Sequence, residues 1–249
     1  MENFFAWVKP LLSLDFGHSA VTGREVWPDL VTAISYTFPL ALAGLVIGII
    51  ISLPLAIIAA KQSGSLLNRL AVAVASIGAA VPTYWLGLLL ILLFTVHLSW
   101  LPAMGARTSA HVILPALTLG LGLGVAASLT RIIRSGLLEA RQQSFLPAIR
   151  RRGVSSMAIG RNHLVPHAAI PLVTVFGLEL AFLLEGAVIV EVIFGRPGVG
   201  TFLVRAIESR DFPQVQAVVI LTALLFVIVN LTIDLVYRLI DPGISRRDA

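Results

Sequence analysis

The chain has 249 residues, of which 57% are hydrophobic and only 12% charged, whereas a soluble domain is about half apolar and about a quarter charged. Several apolar runs reach the roughly 20 residues that cross a bilayer core, and period-two alternation is absent, so the expected fold class is an all-α polytopic membrane protein. The net charge of +5 then belongs to loops and implies no nucleic acid. The absence of cysteine excludes disulfides and thiolate metal sites.

In chain order, residues 1–33 mix Phe4, Phe5, Trp7, Leu11 and Leu12 with Glu2, Lys9, Asp15, Arg24, Glu25 and Asp29. This pattern suits a periplasmic or interfacial segment with its aromatics at headgroup depth. No basic n-region precedes an apolar stretch here, so no cleavable signal peptide is expected. Spans are expected at about 34–60, 70–97 (with Pro82 as an interior kink), 112–134, 168–194 and 214–238. Residues 195–213 are too polar to cross and too apolar for a plain loop; a turn at Pro197–Gly200 followed by a short surface helix is expected there. Residues 241–249 form a tail.

The long polar interruption lies between the third and fourth spans. Within it are Arg134, Arg141, Arg150, Arg151, Arg152 and Arg161, opposed only by Glu139. Leu138, Phe145 and Ile149 recur at helical spacing before Gly153, and Val154, Met157 and Leu164 after it. Two short amphipathic helices joined at Gly153, over residues 135–167, are expected to offer a docking surface for another protein. Positive charge alone would suit anionic lipid headgroups, but it would require neither the glycine nor the apolar face.

If this hairpin is cytoplasmic, its side carries Lys61, Arg69, Arg131, the hairpin arginines, Arg238, Arg246 and Arg247. The other side carries Lys9, Arg24, Arg107, Arg196, Arg205 and Arg210, half as many. The bias orients the hairpin and the C-terminus inward, and five spans then put the N-terminus outside. That topology leads us to expect a further helix before residue 1 in the full-length protein.

Phe145-Leu-Pro-Ala-Ile-Arg-Arg-Arg-Gly153 with Asn162-His163 and Pro171 downstream resembles the "EAA" loop of permeases of binding-protein-dependent ABC importers, and specifically the B-type permeases of dipeptide, oligopeptide and nickel importers. Glu191-Val-Ile-Phe-Gly-Arg-Pro-Gly-Val-Gly200 resembles that family's Glu-Thr-Val-Phe-x-x-Pro-Gly-x-Gly, and Arg210-Asp211-Phe-Pro213 resembles its Arg-Asp-Tyr-Pro. Asp15-Phe-Gly17-His-Ser19, Asn230-Leu-Thr-Ile-Asp234 and Asp241-Pro242 are similar to further motifs of the family, so the likeness covers essentially the whole chain. Pro147, Ile149 and Arg151 depart from the usual Arg, Ala and Ala, which would bend the first hairpin helix, and the family's first span is missing.

The resemblance implies a type I importer transmembrane domain over residues 34–240 that works beside a second permease chain in the cell inner membrane. Two ATP-binding subunits would receive the hairpins, with Phe145, Ala148, Arg150, Arg152, Gly153 and Val154 of this chain in the coupling contact. A periplasmic substrate-binding protein would deliver a peptide or related cargo, nickel or a metal chelate included. Glu191, Pro197, Gly198, Gly200, Arg210, Asp211, Asn230 and Asp234 would be structural. The chain itself contains no G-x-x-x-x-G-K-[ST] phosphate loop, so it is not expected to be an enzyme or to hold a cofactor; ATP and magnesium would sit in the partners.

Carboxylates within spans carry the sharpest question. Placing one in lipid costs at least about 2.5–3.5 kcal/mol, so it seeks a partner or a wet cavity. Glu179 and Glu185 fall in the fourth span, about 120° apart around a helix. Either is a candidate for lining the pathway and favouring cationic cargo; pairing with a neighbouring chain is the plainer reading. Asp234 would pair with Arg238 one turn on. His18, His97 and His111 are too scattered for a metal site. Rival classes are a secondary transporter or channel, for which the inverted repeats are lacking, and an inactive truncated permease subunit.

Overall fold

The computed structural model describes residues 15–61, 65–142, 149, 155, 158 and 165–240, with the backbone alone at residues 78, 79, 141, 165–174, 185, 186, 234 and 237–240. Phe145, Ala148, Arg150, Arg152, Gly153 and Val154, and with them the coupling contact, lie outside the described residues, as do residues 1–14 and 241–249. The described elements are helical: α1 (Val26–Lys61), α2 (Leu66–Ala80), α3 (Thr83–Leu90) running into a π-helical stretch (Ile91–His97), α4 (Ala110–Leu121), α5 (Val125–Arg141), α6 (Val165–Ile193), α7 (Val199–Glu208) and α8 (Phe212–Ile240).

Three expected boundaries are corrected. The first span begins at Val26 rather than at residue 34. Asp29 lies in its first turn, where an acid complements the helix dipole, and Pro28 is tolerated there. The second span is not one kinked helix. Val81 turns extended and Pro82 sits in front of α3, because the residue before a proline is pushed out of the helical region. The third span breaks at Gly122-Leu123-Gly124, where Leu123 (φ 53°) and Gly124 (φ 77°) are both left-handed, and α5 then runs on to Arg141, into the region expected to be hairpin. The backbone N–H of Leu123 is recovered by the Thr83 hydroxyl at 3.3 Å. Helices α4 and α5 meet at 56° and are long enough together to cross a bilayer; α1 and α8 can each cross alone. Helix α6 has 29 residues, about 43 Å at helical rise.

The hub is α1, which packs against α2, α4, α5, α6, α7 and α8. Its buried face is mostly small residues, Ala33, Thr37, Ala41, Gly44, Gly48, Ser52, Ala56 and Ala59, with Val26, Leu30, Leu40 and Leu45 among them. Its opposite face exposes Phe38, Leu42, Val46, Ile50, Leu53 and Ile57. Large apolar groups outward and small ones inward is the arrangement expected where lipid is the solvent, since close helix contact there comes from packing and not from a hydrophobic drive. The tightest crossing is between α1 and α4. A Cβ added at Gly120 would lie 2.6 Å from the Gly44 carbonyl oxygen and 3.0 Å from the Gly48 nitrogen.

Beside this crossing, Leu40, Leu45, Leu114, Leu119, Val125, Leu129, Leu183, Val190 and Phe194 form the main core. A second cluster, at the α1 N-terminal end, joins Phe16, Val26, Leu30 and Ala33 to Val199, Ala217, Val218 and Leu221. Phe16 stacks there on Trp27, with centroids 5.6 Å apart.

A side chain at Gly120 has no room. Gly120→Leu is expected to destabilise the protein by about 1–3 kcal/mol or more, read as a lower melting temperature in detergent. Leu231→Ala, on the exposed face of α8, should leave the melting temperature nearly unchanged.

Candidate functional site

The polar chemistry of the described residues concentrates where α1, α6, α7 and α8 come together. Glu191, near the end of α6, is fully buried. Its Oε1 accepts the Thr37 hydroxyl of α1 at 2.5 Å. Its Oε2 accepts the backbone N–H of Gly200 at 2.8 Å and that of Thr201 at 3.4 Å. The Thr37 hydroxyl in turn accepts the Val199 N–H at 2.8 Å. The first N–H groups of a helix have no partner within it. Here two residues from two other helices satisfy them, and a carboxylate sits where the positive end of the α7 dipole falls.

The geometry explains the two glycines of the Pro-Gly-x-Gly motif. A Cβ at Gly198 would overlap the Glu191 carboxylate, and one at Gly200 would overlap the Val188 backbone. The expected short helix is present, but it starts at Val199, so the turn ends at Gly198 and Gly200 lies in the first turn of α7 rather than in the turn expected at Pro197–Gly200; Pro197 is exposed. Arg196, also buried, donates from its backbone N–H to the Glu191 carbonyl at 2.8 Å and from Nη1 to the His111 carbonyl at 3.2 Å. Its Nε has no partner among the described residues.

A second knot closes the far end of α7. Asp211 N–H donates to the Ala206 carbonyl at 2.8 Å and Arg210 N–H to that of Ile207 at 3.1 Å, the paired bonds of a Schellman turn. Arg210 occupies the left-handed position (φ 57°) where glycine is usual, and its side chain is exposed. Asp211 then starts α8, its carbonyl accepting Val215 N–H at 3.1 Å and its carboxylate the Gln214 N–H, which is an N-cap. The same carboxylate accepts the Ser19 hydroxyl and, at 3.1 Å, the Ala20 N–H. Ser19 also receives the Thr22 N–H at 2.9 Å. The Asp15–Ser19 and Arg210–Pro213 motifs are thus two halves of one clasp. Burial works to raise the Asp211 pKa, but the bonds from Ser19, Ala20, Gln214 and Val21 outweigh it and hold the carboxyl below its ordinary range.

The other candidates lie apart from these knots. Glu179 is half-buried on α6; it accepts a hydrogen bond from Ser128 and has Arg131 nearby, both on α5. Among the described residues these are its partners. The Asn230 amide donates to the Phe226 carbonyl of its own helix at 2.8 Å. The side chains of Glu185 and Asp234 are outside the description, and the Asp234–Arg238 pairing with them. Sequence reasoning passed over Thr37, Ser128 and Arg131 as partners. The one available signal was a hydroxyl or a charge on an otherwise apolar helix, and it does not say what the group faces.

Residues 52–246 match the family model described as binding-protein-dependent transport system inner membrane component. The chain belongs to this family of importer permeases. It is similar to the glutathione transport system permease protein GsiC of Escherichia coli, 36% identical over 243 residues covering 98% of this chain and 79% of that one. The GsiC of Pectobacterium atrosepticum is 35% identical with the same coverage. Among solved structures, an inward-facing MetNI methionine ABC transporter chain superposes with a TM-score of 0.70 at 20% identity, covering 85% of this chain and 96% of that one. An amino acid ABC transporter chain gives 0.63 at 18% identity, covering 85% and 94%. The fold is that of a type I ABC importer transmembrane domain. The permease is a multi-pass inner-membrane component of such an importer and a transport subunit, not an enzyme.

In this permease the two knots fix both ends of α7 to α1, α6, α8 and the segment around Ser19. Glu191→Gln places an amide NH2 or a weaker acceptor against donors, and should lower stability by about 1.5–3 kcal/mol. Combined with Thr37→Val the losses should be less than additive by about 0.5–3 kcal/mol, measured by unfolding in detergent. For Asp211 the folded-state pKa is depressed, so its contribution is present above the unfolded-state value and is lost as pH falls through the folded one. The stability gap between wild type and Asp211→Asn should be constant near neutral pH and should shrink below about pH 4.

Proposed function

We propose that this permease forms half of a translocation pathway for small peptides of the glutathione type, with a second permease chain forming the other half. The likeness to glutathione transport permeases along 98% of the chain is the observation that carries this reading. The solved neighbours support the fold and not the cargo. In this reading the C-terminus and the arginine-rich segment around Gly153 are cytoplasmic and the N-terminus outside, in line with the bias in arginine and lysine. Two ATP-binding subunits bind there, with Phe145, Ala148, Arg150, Arg152, Gly153 and Val154 in the contact, and hydrolyse ATP with magnesium. A periplasmic binding protein delivers the cargo.

Glu179 borders the pathway as one half of a carboxylate–guanidinium neighbourhood with Arg131. Such a pair suits a zwitterionic peptide, because each end meets a group of opposite sign. Glu185 stands as the alternative carboxylate on the same helix.

The test is uptake of labelled glutathione, a cationic dipeptide, an anionic dipeptide and nickel by cells in which this importer is the only route. The expected outcome is uptake of glutathione that stops when ATP is depleted. Glu179→Gln should lower entry of the cationic peptide by roughly tenfold relative to the anionic one, the factor for about 1.4 kcal/mol. Equal loss for both would remove Glu179 from selectivity, and uptake of nickel without glutathione would overturn the cargo assignment.

A further inference from the structure

At the end of the bundle farthest from α7, a pocket of about 440 Å³ opens between α2 and α5, lined by Asn68, Arg69, Val72, Ala73 and Arg134. The Arg134 Nε donates to the Asn68 side-chain oxygen at 3.0 Å. This bond leaves the terminal nitrogens of Arg134 and the amide NH2 of Asn68 as further donors at the pocket. Arg69 is exposed beside them. Among the described residues neither arginine has an acidic partner. A planar guanidinium fixed at its Nε, a second guanidinium and an amide donor together match the oxygens of a phosphate.

What lies next to the pocket decides which phosphate. Leu66, Leu70 and Ile77 of the same helix are exposed and, at helical spacing, line the flank of α2 that borders Arg69 and Ala73. A basic recess at a helix end, continued along the helix by an apolar stripe, has the shape of a headgroup site with a bed for acyl chains. We propose that this recess binds the phosphate of an anionic phospholipid, with Arg69, Arg134 and Asn68 as donors and the α2 stripe carrying the chains. The permease would then hold one anionic lipid in the leaflet on which Lys61, Arg69, Arg131 and Arg134 gather.

Native mass spectrometry can test this on the full chain with whatever partners co-purify. Mild detergent would be supplemented with phosphatidylglycerol, with phosphatidylcholine of the same chains, or with inorganic phosphate. The expected result is one phosphatidylglycerol retained in preference to phosphatidylcholine. Arg69→Gln should weaken that preference about fivefold, and the double change with Arg134→Gln about thirtyfold. Arg69 is exposed, so its variant tests the charge without disturbing the packing, and Arg69→Lys should retain most of the preference. Equal retention of both lipids by wild type, or an unchanged preference in Arg69→Gln and the double variant, would overturn the proposal. Displacement of the lipid by millimolar inorganic phosphate would overturn it too, by showing a free-phosphate site.

Discussion

A carboxylate with no access to water must find donors within the protein, and in this permease Glu191 finds them on two other helices. Thr37 comes from α1, and the Gly200 and Thr201 amides come from the start of α7. Each partner gains as well. The α7 N-terminus would otherwise leave N–H groups unpaired in an apolar setting, where each costs several kcal/mol. The Thr37 hydroxyl, donating to Glu191, has its lone pairs turned to Val199 N–H. The order of the chain around this point follows from that requirement. α6 must end where its acid can reach the next helix, and the chain must carry glycine at Gly198, before α7, and at Gly200, in its first turn, because the carboxylate and the Val188 backbone occupy the space a side chain would need.

The remaining architecture follows from the solvent. Large apolar side chains face outward on α1, α2 and α8, so they cannot drive the helices together as they would in water. Cohesion comes from surfaces that approach closely, as at Gly44, Gly48 and Gly120, and from a few polar bonds such as Thr83 to Leu123. Asp211 plays for the α7–α8 turn the part Glu191 plays at the other end of α7. Both ends of α7 are thus bonded to the elements around it.

The membrane class, the helical content and the family were legible in the sequence, because apolar runs and ordered motifs are local. The reason for the motifs was not. Ser19 and Asp211 are 192 residues apart, and Thr37 and Glu191 are 154 apart, so nothing local reveals that each pair is hydrogen-bonded. Thr37 in particular belongs to no quoted motif. Span boundaries were also blurred. Hydropathy averaged over a window does not register a left-handed break such as Leu123-Gly124, nor the extended residue before Pro82, and it discounted the start of α1 because Arg24, Glu25 and Asp29 interrupt the apolar run there. The helix–Gly–helix, the most distinctive stretch of the sequence, stays a matter of resemblance, since its coupling residues lie outside the described structure.

The central claim is that Glu191 holds the start of α7. Amide hydrogen exchange at Gly200 and Thr201, wild type against Glu191→Ala, measures this directly. The account predicts that these amides exchange slowly in wild type and roughly tenfold or more faster in the variant, the factor for a lost bond of about 1.5 kcal/mol to a charged group, while amides in the middle of α8 do not change. Equal protection of Gly200 and Thr201 in both proteins would contradict it, and the start of α7 would then be held by packing alone.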